Sequence, residues 1–195
     1  MPKKNKIKLI LGSSSPFRKQ VLEELGLVFD IKTADIDEKK IRFKDFKKLV
    51  LALGIAKLDA ILEKNEFDPN TIIITSDLAA SHNGELREKP VSKKEVFAWH
   101  REYPKGTTKI YCSIVVHHIG LNKTLKAVDT AKIKWDVIPE RVIKEMADDP
   151  VTYKGAGFIS RAFFNYAKRL DGHINTVRGV PIKILEDFLE EFGYF

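Results

Sequence analysis

The chain has 195 residues, with 34 Lys plus Arg against 27 Asp plus Glu for a formal net charge of +7, and 44% of its residues are hydrophobic. That composition supports a packed core and excludes long disordered stretches, and no apolar run approaches the roughly 20 residues that cross a bilayer. The length suits one domain over residues 1–195, or two small lobes sharing one site. The start, Met-Pro-Lys-Lys-Asn-Lys, leads into a short strand rather than a signal-type segment. A lone cysteine, Cys112, excludes an intrachain disulfide or a thiolate metal cluster. Both features predict a soluble protein of a reducing, cytoplasmic compartment.

In chain order, Lys8-Leu9-Ile10-Leu11 reads as a buried strand stopped by Gly12 and three serines. Ser15-Pro16 then opens a helix with Phe17, Val21, Leu22 and Leu25 on one face, ended by Gly26. A second strand is predicted over Val28 to Ala34, before the acidic loop Asp35-Ile36-Asp37-Glu38. A helix of about 18 residues is expected from near Asp45 to Lys64, with Phe46, Val50, Leu53, Ala60 and Ile61 facing inward. Thr71-Ile72-Ile73-Ile74-Thr75 has the length and continuity of a central, doubly covered strand and ends at Ser76-Asp77. His82-Asn83-Gly84-Glu85 reads as a hairpin turn, and Ser92 with Glu95 as a capping box. Strands are expected near Lys109–His117 and Leu125–Val137, the latter with Ile133, Trp135 and Val137 on its dry face. A short helix over Pro139–Ala147, a tight Gly155-Ala156-Gly157 segment and a last helix opened by Pro181 complete the chain. That helix turns Ile182, Leu185, Phe188, Leu189 and Phe192 inward. Strands interleaved with helices predict an α/β fold with a mixed sheet.

Several residues in this frame can carry chemistry. The Gly12-Ser13-Ser14-Ser15-Pro16 turn places backbone N–H groups, hydroxyls and the positive end of a helix dipole together, and Arg18 one turn on can clasp a phosphate. The competing reading is that Ser15 only caps the helix and Arg18 lies on the surface; the Gly-x-x-x-x-Gly-Lys spacing of a Walker loop is absent. Lys57 falls on the inward stripe of its helix, so it must either snorkel out or meet an anion. Asp77, at the end of the most apolar strand, suits a Mg²⁺ ligand or a water-activating group, or else a cap. Glu38, with Asp35 and Asp37, offers a second carboxylate, and Lys89 before Pro90 could reach a second phosphate. The five histidines lack metal-ligand spacing, and no Gly-x-Ser-x-Gly elbow is present.

The charge is uneven. Residues 1–50 carry thirteen basic and seven acidic side chains, an excess of six out of the total of +7. That field could attract a polyanion from nucleotide to duplex, or it is a solvated helix face with a charged tail.

The combination Ser13-Ser14-Ser15-Pro16-Phe17-Arg18, Asp35-Ile36-Asp37-Glu38, Ala56-Lys57, Ser76-Asp77, Glu88-Lys89-Pro90, Lys154-Gly155-Ala156-Gly157 and Gly172-x-x-Asn175-x-x-x-Gly179-x-Pro181, in that order, resembles the Maf family of nucleoside triphosphate pyrophosphatases. The resemblance implies a Maf/Ham1-like fold: a twisted mixed sheet flanked by helices, with two lobes around a central cleft. It further implies metal-dependent cleavage (Mg²⁺ or Mn²⁺) of a nucleoside triphosphate, standard or modified, to monophosphate and pyrophosphate. It implies as well a house-cleaning role and a homodimer, while the lack of an apolar span predicts no membrane partner and the positions of the charged residues favour a small polyanion over nucleic acid. By the same resemblance Ser13, Ser15 and Arg18 bind phosphate. Glu38, Lys57, Asp77 and Lys89 are catalytic, and Asp77 and Glu38 hold the metal. Three positions depart from the family pattern: Phe17 replaces an arginine, Leu78 a threonine, and Ser160 the glutamine of a base-recognition segment, with Arg161 beside it. A catalytically weakened Maf-like protein that binds nucleotide, or serves as a regulatory interaction partner, is the alternative.

Overall fold

The structure, a computed structural model, describes residues 7–154 and 165–195. The chain divides into two compact units. The first holds residues up to Leu78, Cys112–Asp129 and Asn175–Phe195; the second holds Ala79–Tyr111 and Thr130–Ile174.

In the first unit, β1 (Lys8–Leu11) lies between β2 (Phe29–Ile31) and β3 (Thr71–Thr75), parallel to both. Strand β6 (Thr107–His118) pairs antiparallel with β3, Thr75 opposite Val115, so the sheet is mixed. Alternation of side chains explains how it is covered on both faces. Leu9, Leu11, Ile72, Ile74, Ile114 and Val116 pack with Val21 and Leu22 of α1 (Pro16–Glu24) and Leu185 and Leu189 of the last helix. On the opposite face Ile10, Ile73 and Val115 meet Leu58 and Ile61 of α2 (Phe46–Lys64). Burying each such aliphatic side chain stabilises the fold by about 1.5–3 kcal/mol.

In the second unit, β4 (Leu78–His82) and β5 (Glu85–Arg87) form the expected hairpin, with Asn83 and Gly84 at φ +50° and +89°, the left-handed values a two-residue turn requires. Helix α3 (Lys93–Glu102) starts at Ser92, whose side chain accepts the Glu95 N–H; Glu95 returns the bond to the Val91 N–H rather than to Ser92 itself. The part of strand β7 (Lys123–Trp135) from Thr130 onward belongs to this unit, is followed by α4 (Glu140–Asp148) and β8 (Ala167–Asp171), and pairs antiparallel with β8. The chain then returns to the first unit with short α5 (Ile174–Val177) and α6 (Ile182–Glu191).

Several expectations need correction. Strand β2 has three residues instead of seven, all exposed or half-buried, because it pairs with β1 alone and has little apolar surface to bury. Val137 lies beyond β7 and is 76% exposed, and Ile138 takes the buried place. In α2 the buried stripe is Leu49, Val50, Leu53, Gly54, Lys57, Leu58 and Ile61, while Phe46 and Ala60 sit half-exposed at its margin. Half-buried Phe17 and Leu25 leave Val21 and Leu22 as the dry pair of α1, and Ile182 and Phe188 likewise flank Leu185 and Leu189 in α6. Strand β8 is polar, with no alternation in Ala-Lys-Arg-Leu-Asp, so its sequence gives no strand signal.

Candidate active site

The serine turn follows directly from β1. The Gly12 N–H donates to the Ile74 carbonyl at 2.8 Å, and a Cβ at Gly12 would fall 2.5 Å from Thr75 Cγ2, so only glycine lets the turn lie this close to β3. Ser15 occupies the N-cap of α1, but its side chain makes no capping bond. Instead its N–H donates to Ser13 Oγ at 3.2 Å. Arg18 is half-buried rather than a surface residue: Nη1 donates to Ser13 Oγ at 3.0 Å and Nε to the Gly179 carbonyl at 3.3 Å. The turn therefore presents hydroxyls, the open end of a helix and a tethered guanidinium, the chemistry of a phosphate site.

Lys57 settles its own alternatives. Nζ bonds to Asp77 Oδ1 and lies 2.9 Å from Glu38 Oε1, so this inward lysine meets two anions. Asp37 caps the short 3₁₀ turn Glu38–Lys40 by accepting the Lys39 N–H, and that turn presents Glu38. Asp77 lies two residues past the end of β3, and β4 rather than a helix follows it, so it caps nothing. Its N–H donates to Ser113 Oγ at 2.9 Å, and the Ser113 N–H donates to its carbonyl at 2.8 Å. Burial pushes the Asp77 carboxyl above its ordinary 3.8, against the pull of Lys57 and Arg18.

Two supports were not anticipated. Ser76 Oγ donates at 2.7 Å to the same Gly179 carbonyl that holds Arg18, linking the phosphate turn to the residue before Asp77. Thr75 Oγ1 donates to the Gly54 carbonyl at 2.7 Å, seating α2 one turn before Lys57. Gly179 belongs to the glycine and asparagine spacing near the C-terminus, which the sequence offers as a motif without any sign of this contact. Cys112 is fully buried 3.6 Å from Ser76 Oγ, and burial pushes its thiol up to about 12, which leaves it inert.

Thus the first unit gathers Ser13, Ser15, Arg18, Glu38, Lys57 and Asp77. Lys89 is exposed in the second unit, after β5. Ser160, Arg161 and Gly155-Ala156-Gly157 lie outside the described residues. Among the described residues no group of three or more His, Cys, Asp or Glu forms a metal cage. The candidate metal ligands are the pair Glu38 and Asp77, whose oxygens meet at one atom, Lys57 Nζ. Two convergent hard oxygens suit Mg²⁺ or Mn²⁺ when phosphates and waters supply the other ligands. No helix among the described residues is long and apolar enough to cross a membrane.

Comparison with known proteins identifies the family. The family profile described as Maf, Maf-like protein, matches residues 8–192. A 7-methyl-GTP pyrophosphatase of Dictyostelium discoideum is 32% identical over 189 residues, covering 94% of this chain and 96% of its own. A dTTP/UTP pyrophosphatase of Clostridium perfringens is 28% identical, over 95% of this chain and 97% of its own. A nucleoside triphosphate pyrophosphatase of Chlamydia pneumoniae is 29% identical, over 95% and 94%. A solved HAM1 protein from Coxiella burnetii aligns over 69% of this chain and 75% of that one, with a TM-score of 0.47 and 11% identity. With a profile match from residue 8 to 192 and a 32% identical relative along almost all of both chains, the chain belongs to the Maf family.

Proposed function

We propose that the chain is a nucleoside triphosphate pyrophosphatase. One water attacks the α-phosphorus of a standard or modified nucleotide, the α–β anhydride breaks, and nucleoside monophosphate, pyrophosphate and a proton leave. The relatives are named for different bases, so the triphosphate is what their substrates share. The observation that carries the reading is the joining of a phosphate turn, Ser13 with Arg18, to the Glu38–Lys57–Asp77 cluster through the Gly179 carbonyl.

In this reading Ser13, Ser15, the N-terminus of α1 and the remaining N–H groups of Arg18 bind phosphate oxygens. Lys57 and Arg18 stabilise charge on the departing pyrophosphate. Asp77 and Glu38 would hold Mg²⁺ or Mn²⁺, which when bound supplies Lewis-acid neutralisation of phosphate charge. Asp77, fixed through both its backbone groups by Ser113, orients the attacking water. The resemblance adds Lys89 as a catalytic residue and Ser160 as a substrate contact, each open to its own substitution. It also implies a cytoplasmic homodimer, and sedimentation of the purified chain reads the oligomeric state.

The test is pyrophosphate release over a panel of standard and methylated nucleotides with Mg²⁺ or Mn²⁺, with the monophosphate identified by mass. At least one nucleotide should be cleaved, and Asp77→Asn should lower kcat by about 10²–10³-fold. Nucleotide binding without pyrophosphate from any of them would overturn the enzyme in favour of the binding or regulatory alternative.

A further inference from the structure

We propose that Lys57 is a built-in counter-ion that keeps the Glu38–Asp77 pair closed to divalent cations until a polyphosphate draws its ammonium away. The inference rests on the pyrophosphatase reading of this site and adds to it an order: the metal is taken up together with the nucleotide, not before it.

Three observations carry it. First, Nζ of Lys57 lies where the two carboxylates converge, bonded to Asp77 Oδ1 and 2.9 Å from Glu38 Oε1. A dication sharing the same oxygens would stand against an ammonium a few ångströms away, where like charges repel strongly. Second, Lys57 has little freedom to leave unaided. It is 9% exposed, and one turn earlier Thr75 Oγ1 ties its helix to β3 through the Gly54 carbonyl. An ammonium in such a place gives up its anions only for others. Third, no third acidic or histidine ligand joins the pair among the described residues, so the protein alone offers a dication too few donors.

A triphosphate resolves both obstacles. Its oxygens give Lys57 new anions, and they supply the ligands that Glu38 and Asp77 lack. Arg18, whose charge also acts on Asp77, is held by Ser13 and Gly179 and so remains at the phosphate turn while Lys57 exchanges partners.

The test is Mn²⁺ binding to the full chain without nucleotide, read by water-proton relaxation enhancement, which reports Mn²⁺ on the slowly tumbling protein, together with the Mn²⁺-induced shift in thermal midpoint. Wild type should show little enhancement with Mn²⁺ alone and clear enhancement once tripolyphosphate is added. Lys57→Met should bind Mn²⁺ alone roughly tenfold or more tightly than wild type, because the ammonium no longer occupies the point where the two hard-oxygen carboxylates converge. Its midpoint should rise with Mn²⁺, and Asp77→Asn added to it should abolish both effects. Lys57→Gln serves if Lys57→Met does not fold, and the wild-type arm needs no variant. Equal Mn²⁺ affinity in wild type and the Lys57 variant would overturn the proposal, as would strong wild-type binding without polyphosphate or no enhancement when tripolyphosphate is added. Failure of pyrophosphate release on every nucleotide would overturn the enzymatic reading and leave these binding results standing.

Discussion

Asp77 is asked to be anionic in a place that disfavours anions. Burial raises its carboxyl above 3.8, and Lys57 and Arg18 offset that only in part. A folded value above the unfolded one means that the protonated acid is favoured by folding. Its stability contribution is full below about 3.8 and is lost as pH rises through the raised value. Asp77→Asn keeps the neutral form at every pH, and Lys57 still has Glu38 2.9 Å away. The variant should therefore lose activity while its urea midpoint at pH 7.5 stays at or above that of wild type. A loss of several kcal/mol would instead show that the attraction between Lys57 and Asp77 outweighs the cost of burying the carboxylate. Gly179 makes a second case at this scale. Its φ is +93°, and a Cβ there would lie 3.0 Å from Arg18 Nε. Gly179→Ala adds about 1 kcal/mol of backbone strain and displaces the guanidinium. KM for nucleotide should rise about tenfold, the worth of one charge-assisted contact, with a smaller change in kcat.

At the scale of elements, the approach of α2 to the sheet decides whether Lys57 can reach Asp77. Gly54 marks the closest point: a Cβ there would lie 2.8 Å from Ser113 Oγ and 3.1 Å from Val115 Cγ2. The same Ser113 hydroxyl accepts the Asp77 N–H. Gly54→Ala gains about 1 kcal/mol in helix propensity, but either Ser113 turns away from Asp77 or α2 lifts off β3. We expect activity to fall while stability changes little. Ser113→Ala removes the overlapping oxygen, so the double variant should seat α2 again. A double-mutant cycle in stability should show Ser113→Ala costing about 1 kcal/mol less in the Gly54→Ala background, and strict additivity would refute the contact. None of this was legible in the sequence, where Gly54 is only a helix residue of low propensity. The buried strands and the dry faces of α1, α2 and α6 were legible because burial on both sides leaves continuous apolar runs or helical stripes. Strands β2 and β8 were not, because edge strands bury little and carry no pattern. Lys57 and Asp77 stood out because a charge within an apolar pattern demands a partner; which partner was a tertiary fact.

For the molecule as a whole, the basic side chains of the first quarter are placed differently: Lys39, Lys40, Arg42, Lys44, Lys47 and Lys48 are exposed, whereas Arg18 is drawn into the site. The response to acid involves both units, because each buries a histidine that burial keeps below the ordinary 6.5: His82 in the second unit and His117 in the first. Thr108 Oγ1 accepts the Trp135 indole N–H at 2.8 Å and shares a second hydrogen bond with His82 Nδ1 at 3.1 Å. Glu102 favours the charged form of His82 and Arg87 opposes it, while His118 opposes charge on His117, so burial prevails in both. Folded values below the unfolded one mean that the unfolded chain binds more protons in acid. Stability from these groups is complete above 6.5 and is lost as pH falls toward and through the lowered folded values. Once the unfolded histidines are protonated, each contributes a slope of up to about 1.4 kcal/mol per pH unit. The urea midpoint should be flat from neutral to weakly alkaline pH and fall below 6.5, and His117→Asn should make that fall shallower. Asp77 acts in the opposite direction, so the slope measured in Asp77→Asn isolates the histidines. A midpoint unchanged between neutral pH and 5 in that background would refute the assignment.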